Sequence, residues 1–319
     1  MNDDNQINMT ESNDNNTTSS STISKSSSVN TNKNNNNNIN RYGRKFHNET
    51  NSTYWLPNDD EEMDRLVSTH LYIYIQYKRN IPKVVIQNKM IPLENGAKIL
   101  DVGCGPGTWI MDVATEFPTS ECIGLDMCDV FPTNIRPKNV SFQIGNVLLN
   151  RLPFEDNTFD MVYLRLFILA FRSHEWIPVL KEILRVLKPG GCFLSLEACM
   201  FEDGNDFTKC FINNFIKTML KREQEPFIAN KMKDFMKLAG FDAVKSIKKN
   251  VYLGRPDQVN REFLWDLRTL VKSIQPFFAE QAQISDEKYP QYLDDLITNC
   301  QKQPECIWPM ISTLGRKPL

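Results

Sequence analysis

Two rhythms of apolar and polar residues take turns along the middle of this chain. Short apolar runs at 98–102, 121–126, 140–145, 159–164 and 192–197 have the length and composition of buried strands. Between them, apolar residues recur at three- and four-residue steps. Ile110, Val113, Ala114 and Phe117 share one face of a helix over 108–117, which Pro118 stops. Trp176, Val179, Leu180, Ile183 and Leu187 do the same over 175–188, and Pro189-Gly190-Gly191 should end that helix with Gly190 as its left-handed cap. Strand and helix in strict alternation predict an α/β fold, a Rossmann-like doubly wound sheet.

The flanks extend this pattern. Asn58 is placed to cap a helix over 58–79, with Asp59 to Glu62 at its positive end. Met63, Leu66, Val67, His70, Leu71 and Tyr74 would form its buried face. Beyond residue 197 the rhythm loosens into helical stretches at 211–221, 229–239, 256–275 and 285–301, with a sixth strand at 242–248. The closing "CIWPMISTLGRKPL" reads as a final edge strand. The expected whole is a seven-stranded sheet, mostly parallel with an antiparallel edge strand, carrying helical lid insertions at about 205–240 and 256–303.

Composition changes the picture at one end. Residues 1–40 are almost entirely Asn, Ser, Thr and Asp, too poor in apolar surface to offset the entropy of ordering, and read as a disordered tail. Residues 41–319 then form one domain. A net charge of −2 argues against a dedicated nucleic-acid binder. No apolar run reaches the ~18 residues of a membrane span, and the N-terminus lacks a signal peptide's apolar core. The expected setting is cytoplasmic, with a nuclear one left open. Eight cysteines contain no C-x₂-C pair and are joined by only three histidines, so no metal site is expected.

The candidate chemistry lies in "ILDVGCGPGTWIMDVATEFP", residues 99–118. Gly103, Gly105 and Gly107 follow the first strand and open the first helix, where missing Cβ atoms let a ligand approach the backbone. Exposed N–H groups at a helix start favour a negatively charged or carboxylate-bearing group. The stretch therefore reads as a seat for a nucleotide-like cofactor in the crevice beyond the strand ends. A nicotinamide dinucleotide is one candidate, but its G-x-G-x-x-G/A fingerprint fails at Thr108. Asp126, closing the second strand, suits ribose hydroxyls in either cofactor class.

"ILDVGCGPG", "CIGLD", "IGN", "LPFEDNTFDMVYLR" and "VLKPGG", in that order, resemble the motifs of class I S-adenosylmethionine-dependent methyltransferases. "YWLPNDDEEMDRL" and "GRKP" further resemble fungal methyltransferases related to the velvet-associated regulator of secondary metabolism. The resemblance implies S-adenosyl-L-methionine as cofactor and assigns residues to it. Asp101, Gly103, Gly105 and Gly107 would lie along its methionine part, and Asp126 would accept from both ribose hydroxyls. Met127 would pack on the adenine, Asn146 and Val147 would border its edge, and Arg165 would sit near the methionine end. Asn146 departs from the family, which more often has Asp there. Tyr54 and His70 belong to the N-terminal segment that folds over the cofactor in this family.

Methyl transfer is an in-line displacement in which the protein positions and desolvates the partners. A hydroxyl acceptor would need a general base, for which His174 and Glu197 are the only candidates named by position; no motif identifies one. A small-molecule acceptor is the first expectation. A protein methyltransferase or regulatory partner of secondary metabolism and an inactive cofactor-binding scaffold are the alternatives. Neither direct nucleic-acid binding nor membrane association is expected.

Overall fold

A computed structural model describes residues 38–47, 52–132, 134–149 and 151–319 of the protein. Most of the expected tail, residues 1–37, lies outside the described residues. Its last three positions are strand instead: β1 (Asn38–Arg41) pairs antiparallel with β2 (Arg44–His47) across a turn at Tyr42 and Gly43. Both turn residues have positive φ, 51° and 72°, the backbone a tight hairpin needs.

Seven strands form one sheet in the order β5-β4-β3-β6-β7-β9-β8. They are β3 (Lys98–Val102), β4 (Glu121–Asp126), β5 (Val140–Ile144), β6 (Phe159–Arg165), β7 (Leu187–Ala198), β8 (Asp242–Tyr252) and β9 (Ile307–Arg316). The first five run parallel. The chain winds outward from β3 through β4 to β5, then returns to the other side of β3 with β6. The carboxyl ends of β3 and β6 therefore flank the point where strand order reverses, which is where such sheets open a crevice.

β9 is the antiparallel strand, but it is not outermost. It inserts between β7 and β8 and pairs antiparallel with both, leaving β8 as the edge. The edge strand fits its place: most of its residues are exposed and three are lysines, a composition that discourages further pairing.

The helices are α1 (Asp60–Tyr77), α2 (Lys83–Gln87), α3 (Thr108–Glu116), α4 (Trp176–Val186), α5 (Asp206–Lys221), α6 (Ile228–Ala239), α7 (Gln258–Ser273), α8 (Gln275–Ala282) and α9 (Tyr289–Gln301). Asp59, not Asn58, caps α1: its Oδ1 accepts the Glu62 N–H at 3.1 Å. Asp59 is also held by Arg44, whose Nε and Nη2 each donate at 2.7 Å, which fixes its side chain in the capping position. α4 stops at Val186 because Leu187 already has an extended backbone. "LKPGG" thus begins β7 and does not cap the helix. Its Gly190, at φ 77°, makes a bulge where the pairing of β6 with β7 jumps from Phe159↔Leu187 to Met161↔Cys192.

α1 turns a different face inward from the one its apolar spacing predicts. Glu62, Arg65, Thr69, His70, Tyr72 and Ile73 are buried. Val67, Leu71, Tyr74 and Ile75 are 40–53% exposed. The polar side is drawn inward by α7, which presents Asp266 to Arg65 and Glu262 to Tyr72.

Candidate functional site

A cleft enclosing about 1020 Å³ of open space lies beyond the ends of β3, β4 and β6. Its floor is the turn after β3. Gly103, Gly105 and Gly107 all have positive φ, between 52° and 75°, so a side chain at any of them would be strained. A Cβ on Gly103 would also strike the Phe167 ring, and one on Gly107 would come within 2.5 Å of Phe142. Gly103 and Gly105 line the cleft, whereas Gly107 lies behind it against Phe142.

The turn's own N–H groups are not available to a ligand. Those of Gly103 and Cys104 donate to the Leu125 carbonyl, that of Gly105 to Asp126, and that of Gly107 to Cys104. Within residues 103–107, therefore, the backbone N–H groups are already engaged by the protein's own acceptors. Cationic side chains line the cleft instead: Arg165 from the end of β6 and Arg65 from α1.

Asp126 ends β4 and lines the cleft. It accepts the Gly105 N–H at 2.8 Å on one oxygen and the Cys128 N–H at 2.9 Å on the other. Each oxygen retains a lone pair, so a pair of adjacent hydroxyls can bind without displacing either backbone bond. Burial raises its carboxyl above the ordinary range, opposed by those backbone N–H groups. Met127, Asn146 and Val147 complete this end. Asn146 Oδ1 accepts the Leu148 N–H at 2.9 Å, with one lone pair and the amide N–H groups left for a base edge.

Asp101 does not reach the cleft. It is buried at 4% exposure behind the turn, and burial pushes its carboxyl up to about 8 against the opposing charge of Arg165. Tyr54 lines the cleft, while His70 faces a separate groove on the other side of Arg165. Arg165 Nη1 lies 3.1 Å from His70 Nδ1, and Nε2 lies 2.8 Å from Asp112 Oδ2. A guanidinium can only donate, so Nδ1 carries the lone pair and Nε2–H donates to Asp112. Burial, assisted by Arg165, lowers the imidazole's affinity for a second proton despite Asp112.

Neither candidate base faces the cleft. His174 is exposed in a short turn at Ser173–Glu175 and lines none of the clefts. Glu197 is buried, with Oε1 and Oε2 accepting the N–H groups of Phe167 and Ile168, each at 3.0 Å. Burial raises its carboxyl to about 8, against the pull of those donors. Its role is to hold the turn after β6, where Leu166 takes a left-handed φ of 60°. Such a conformation costs roughly 1–3 kcal/mol and persists where neighbours over-determine it.

Leu166 matters because it stands between two cavities. A second, mainly apolar cleft adjoins the first, and Leu56, Arg65 and Leu166 line both. Phe201, Phe211, Phe215 and Trp308 supply aromatic wall. Its few polar groups include Arg65, Thr69 and Asp266, all nearly inaccessible to solvent. Arg65 Nε and Nη2 donate to Glu62, and Nη1 donates to Asp266 at 2.8 Å. Burial raises the Glu62 carboxyl, although Arg65 opposes it.

Sequence reasoning missed this ionic cluster. Arg65 and Asp266 are 201 positions apart, and each looks locally like an ordinary exposed charge on an amphipathic helix. The available signal was composition: Glu62, Arg65 and Thr69 recur at three- and four-residue steps, as a buried polar stripe must.

A methyltransferase domain family matches residues 99–191, the segment that builds the turn, β4, β6 and the start of β7. The secondary metabolism regulator laeA of Coprinopsis cinerea is 33% identical over 150 residues, 47% of this chain and 37% of that protein. Methyltransferase str3 of Strobilurus tenacellus is 29% identical over 190 residues, 57% of this chain and 64% of that protein. The matched segment thus spans less than two thirds of either relative. Among solved structures, a putative sarcosine dimethylglycine methyltransferase from Galdieria sulphuraria is similar at a TM-score of 0.48 and 18% identity, over 83% of this chain and 93% of that one. The domain match covers the cleft-bearing turn and the motifs in their order, so residues 99–191 carry a methyltransferase domain that is similar to the fungal secondary-metabolism regulators.

Proposed function

We propose that this protein transfers a methyl group from S-adenosylmethionine to a small-molecule acceptor. The observation that carries the reading is the second cleft. It is lined mainly by apolar side chains and shares Leu56, Arg65 and Leu166 with the cofactor cleft. Such a cavity suits a compact apolar molecule better than a polypeptide loop.

In this reading the cofactor supplies an electrophilic methyl on a sulfonium. The chain's own residues do the rest. Asp126 accepts from the two ribose hydroxyls, Met127 and Val147 pack against the base, and Asn146 meets its polar edge. Arg165 offers its guanidinium to the methionine carboxylate, held by His70 and Asp112. Leu56, Leu166 and Phe167 exclude water where the two clefts meet, which keeps the reacting partners in a near-attack arrangement.

Calorimetry with S-adenosylmethionine and S-adenosylhomocysteine tests the cofactor seat. Micromolar binding is expected, falling at least about tenfold in Asp126→Ala, since a hydrogen bond to a charged group contributes about 1.5–3 kcal/mol. A folded wild type that binds neither would overturn the assignment. Radiolabelled methyl groups supplied to the protein in a fungal extract then decide the acceptor: label is expected in the organic-soluble fraction, and label confined to protein would reverse that choice.

One observation favours a second reading. Val67, Leu71, Tyr74 and Ile75 form an exposed apolar stripe along α1, and several relatives bear the name of regulators. A stripe of this kind fits a helix that meets another protein. That reading makes the chain a regulatory partner whose cofactor cleft serves a protein substrate.

A further inference from the structure

We propose that Asp266 is the general base of the second cleft, taking the proton of a phenolic or enolic hydroxyl whose apolar body lies against Phe201, Phe211, Phe215 and Trp308. The proposal rests on the small-molecule methyltransferase reading and adds the acceptor atom and the residue that activates it.

The two carboxylates of the Arg65 cluster are not equivalent. Glu62 has both oxygens engaged by Arg65. Asp266 has only Oδ1 engaged, by Arg65 Nη1 and by the Thr69 hydroxyl. Its Oδ2 meets no donor among the described residues, although Asp266 is only 2% exposed and lines the cleft. That oxygen is thus left without a protein donor on a residue that lines the cleft, where a ligand hydroxyl can supply one.

A hydroxyl suits that oxygen better than an amine does. A carboxylate beside an amine stabilises the ammonium, whose lone pair is occupied and cannot attack. A carboxylate beside a hydroxyl gains the proton as the oxygen becomes nucleophilic. The balance is simple. The acceptor's O–H bond breaks and its proton passes to Asp266 Oδ2. The oxygen's electron pair forms the new O–CH₃ bond as the S–CH₃ bond breaks, leaving that pair on sulfur and a neutral thioether. Asp266 returns its proton to water when the product leaves. Cys199 also lines the cleft, but burial raises its thiol to about 11, which keeps it protonated and out of competition.

The test titrates 2-naphthol and its methyl ether, 2-methoxynaphthalene, into the full chain saturated with S-adenosylhomocysteine. The wild type should bind the naphthol about tenfold or more tightly than the ether. Asp266→Asn should remove that preference with S-adenosylhomocysteine affinity unchanged, and Ile212→Trp, which fills the cleft, should abolish binding of both. Methyl transfer to 2-naphthol should fall about 10²–10⁴-fold in Asp266→Asn. The proposal is overturned by equal affinity for naphthol and ether in the wild type, by a preference that survives Asp266→Asn, by tighter binding of 2-naphthylamine than of 2-naphthol, or by no methyl ether formed. Loss of S-adenosylhomocysteine binding in the wild type would instead overturn the cofactor reading itself. If Asp266→Asn fails to fold, the wild-type preference and the Ile212→Trp variant decide the matter.

Discussion

Asp101, next to last in β3, is an acid with no hydrogen bond to its carboxyl among the described residues. Burial lifts that carboxyl to about 8, Arg165 opposing and Asp126 assisting. The folded protein therefore holds a proton that the unfolded chain releases near pH 4. A raised carboxylate of this kind contributes stability that is full below about pH 3.8 and drains away as pH climbs toward 8, by at most about 1.4 kcal/mol per pH unit for one proton. Asp101→Asn cannot ionise and should lack this loss. Urea midpoints measured at pH 5 and pH 8 should fall further in the wild type than in the variant. Glu197 titrates in the same sense, but it is present in both proteins and leaves the difference untouched. Parallel pH dependence in the two would show that Asp101 is ionised in the fold.

At the scale of elements, α1 is where the sequence pattern and the packing part company. The apolar spacing of Val67, Leu71 and Tyr74 is sound helix periodicity, and the helix forms where expected. Which side it buries was decided elsewhere, by Asp266 and Glu262 on α7, 201 and 190 positions from their α1 partners. Arg65 is the hinge of that contact, bound to Glu62 and Asp266 at once. Arg65→Met should cost about 3–5 kcal/mol, because it strands two buried carboxylates without a counter-charge. Arg65→Met with Glu62→Leu and Asp266→Leu should recover most of the loss, and thermal unfolding of both variants checks it. Failure of the single variant to destabilise would mean that the cluster is hydrated and weakly coupled. The same contrast separates what could be read locally from what could not. Strands β3, β4 and β6 were legible because a parallel strand buried on both faces is a continuous apolar run. Asp126 was legible by its place at a strand end. "LKPGG" misled because its residues serve a helix stop and a strand bulge equally well, and only the pairing with β6 selects the bulge. Glu197 and His174 were named by position along the chain, which does not say where a side chain turns.

The whole molecule depends on its last strand more than the order of its motifs suggests. The alternating core announces itself between residues 98 and 197, yet β7 and β8 do not touch: β9 stands between them and pairs with both. It also buries Trp308, Met310 and Leu314, and Trp308 and Met310 line the second cleft. Removing it would open two sheet edges and one wall of that cavity, and α6 would lose the surface on which it packs. Deletion of residues 307–319 should therefore do more than weaken the molecule. The chain should keep helical signal in the far ultraviolet, lose its near-ultraviolet aromatic signal and bind a hydrophobic dye, as a collapsed state without fixed packing does. The turn of Gly103 to Gly107 lies far from β9 along the sheet, and its motif is intact in the deletion. If cofactor affinity nevertheless disappears with β9, cooperativity across the sheet holds the cleft together. If the truncated chain binds S-adenosylhomocysteine as the full chain does, then β3 to β6 form a self-sufficient cofactor unit, and β8, β9 and the helices between them are an acceptor-binding half added to it.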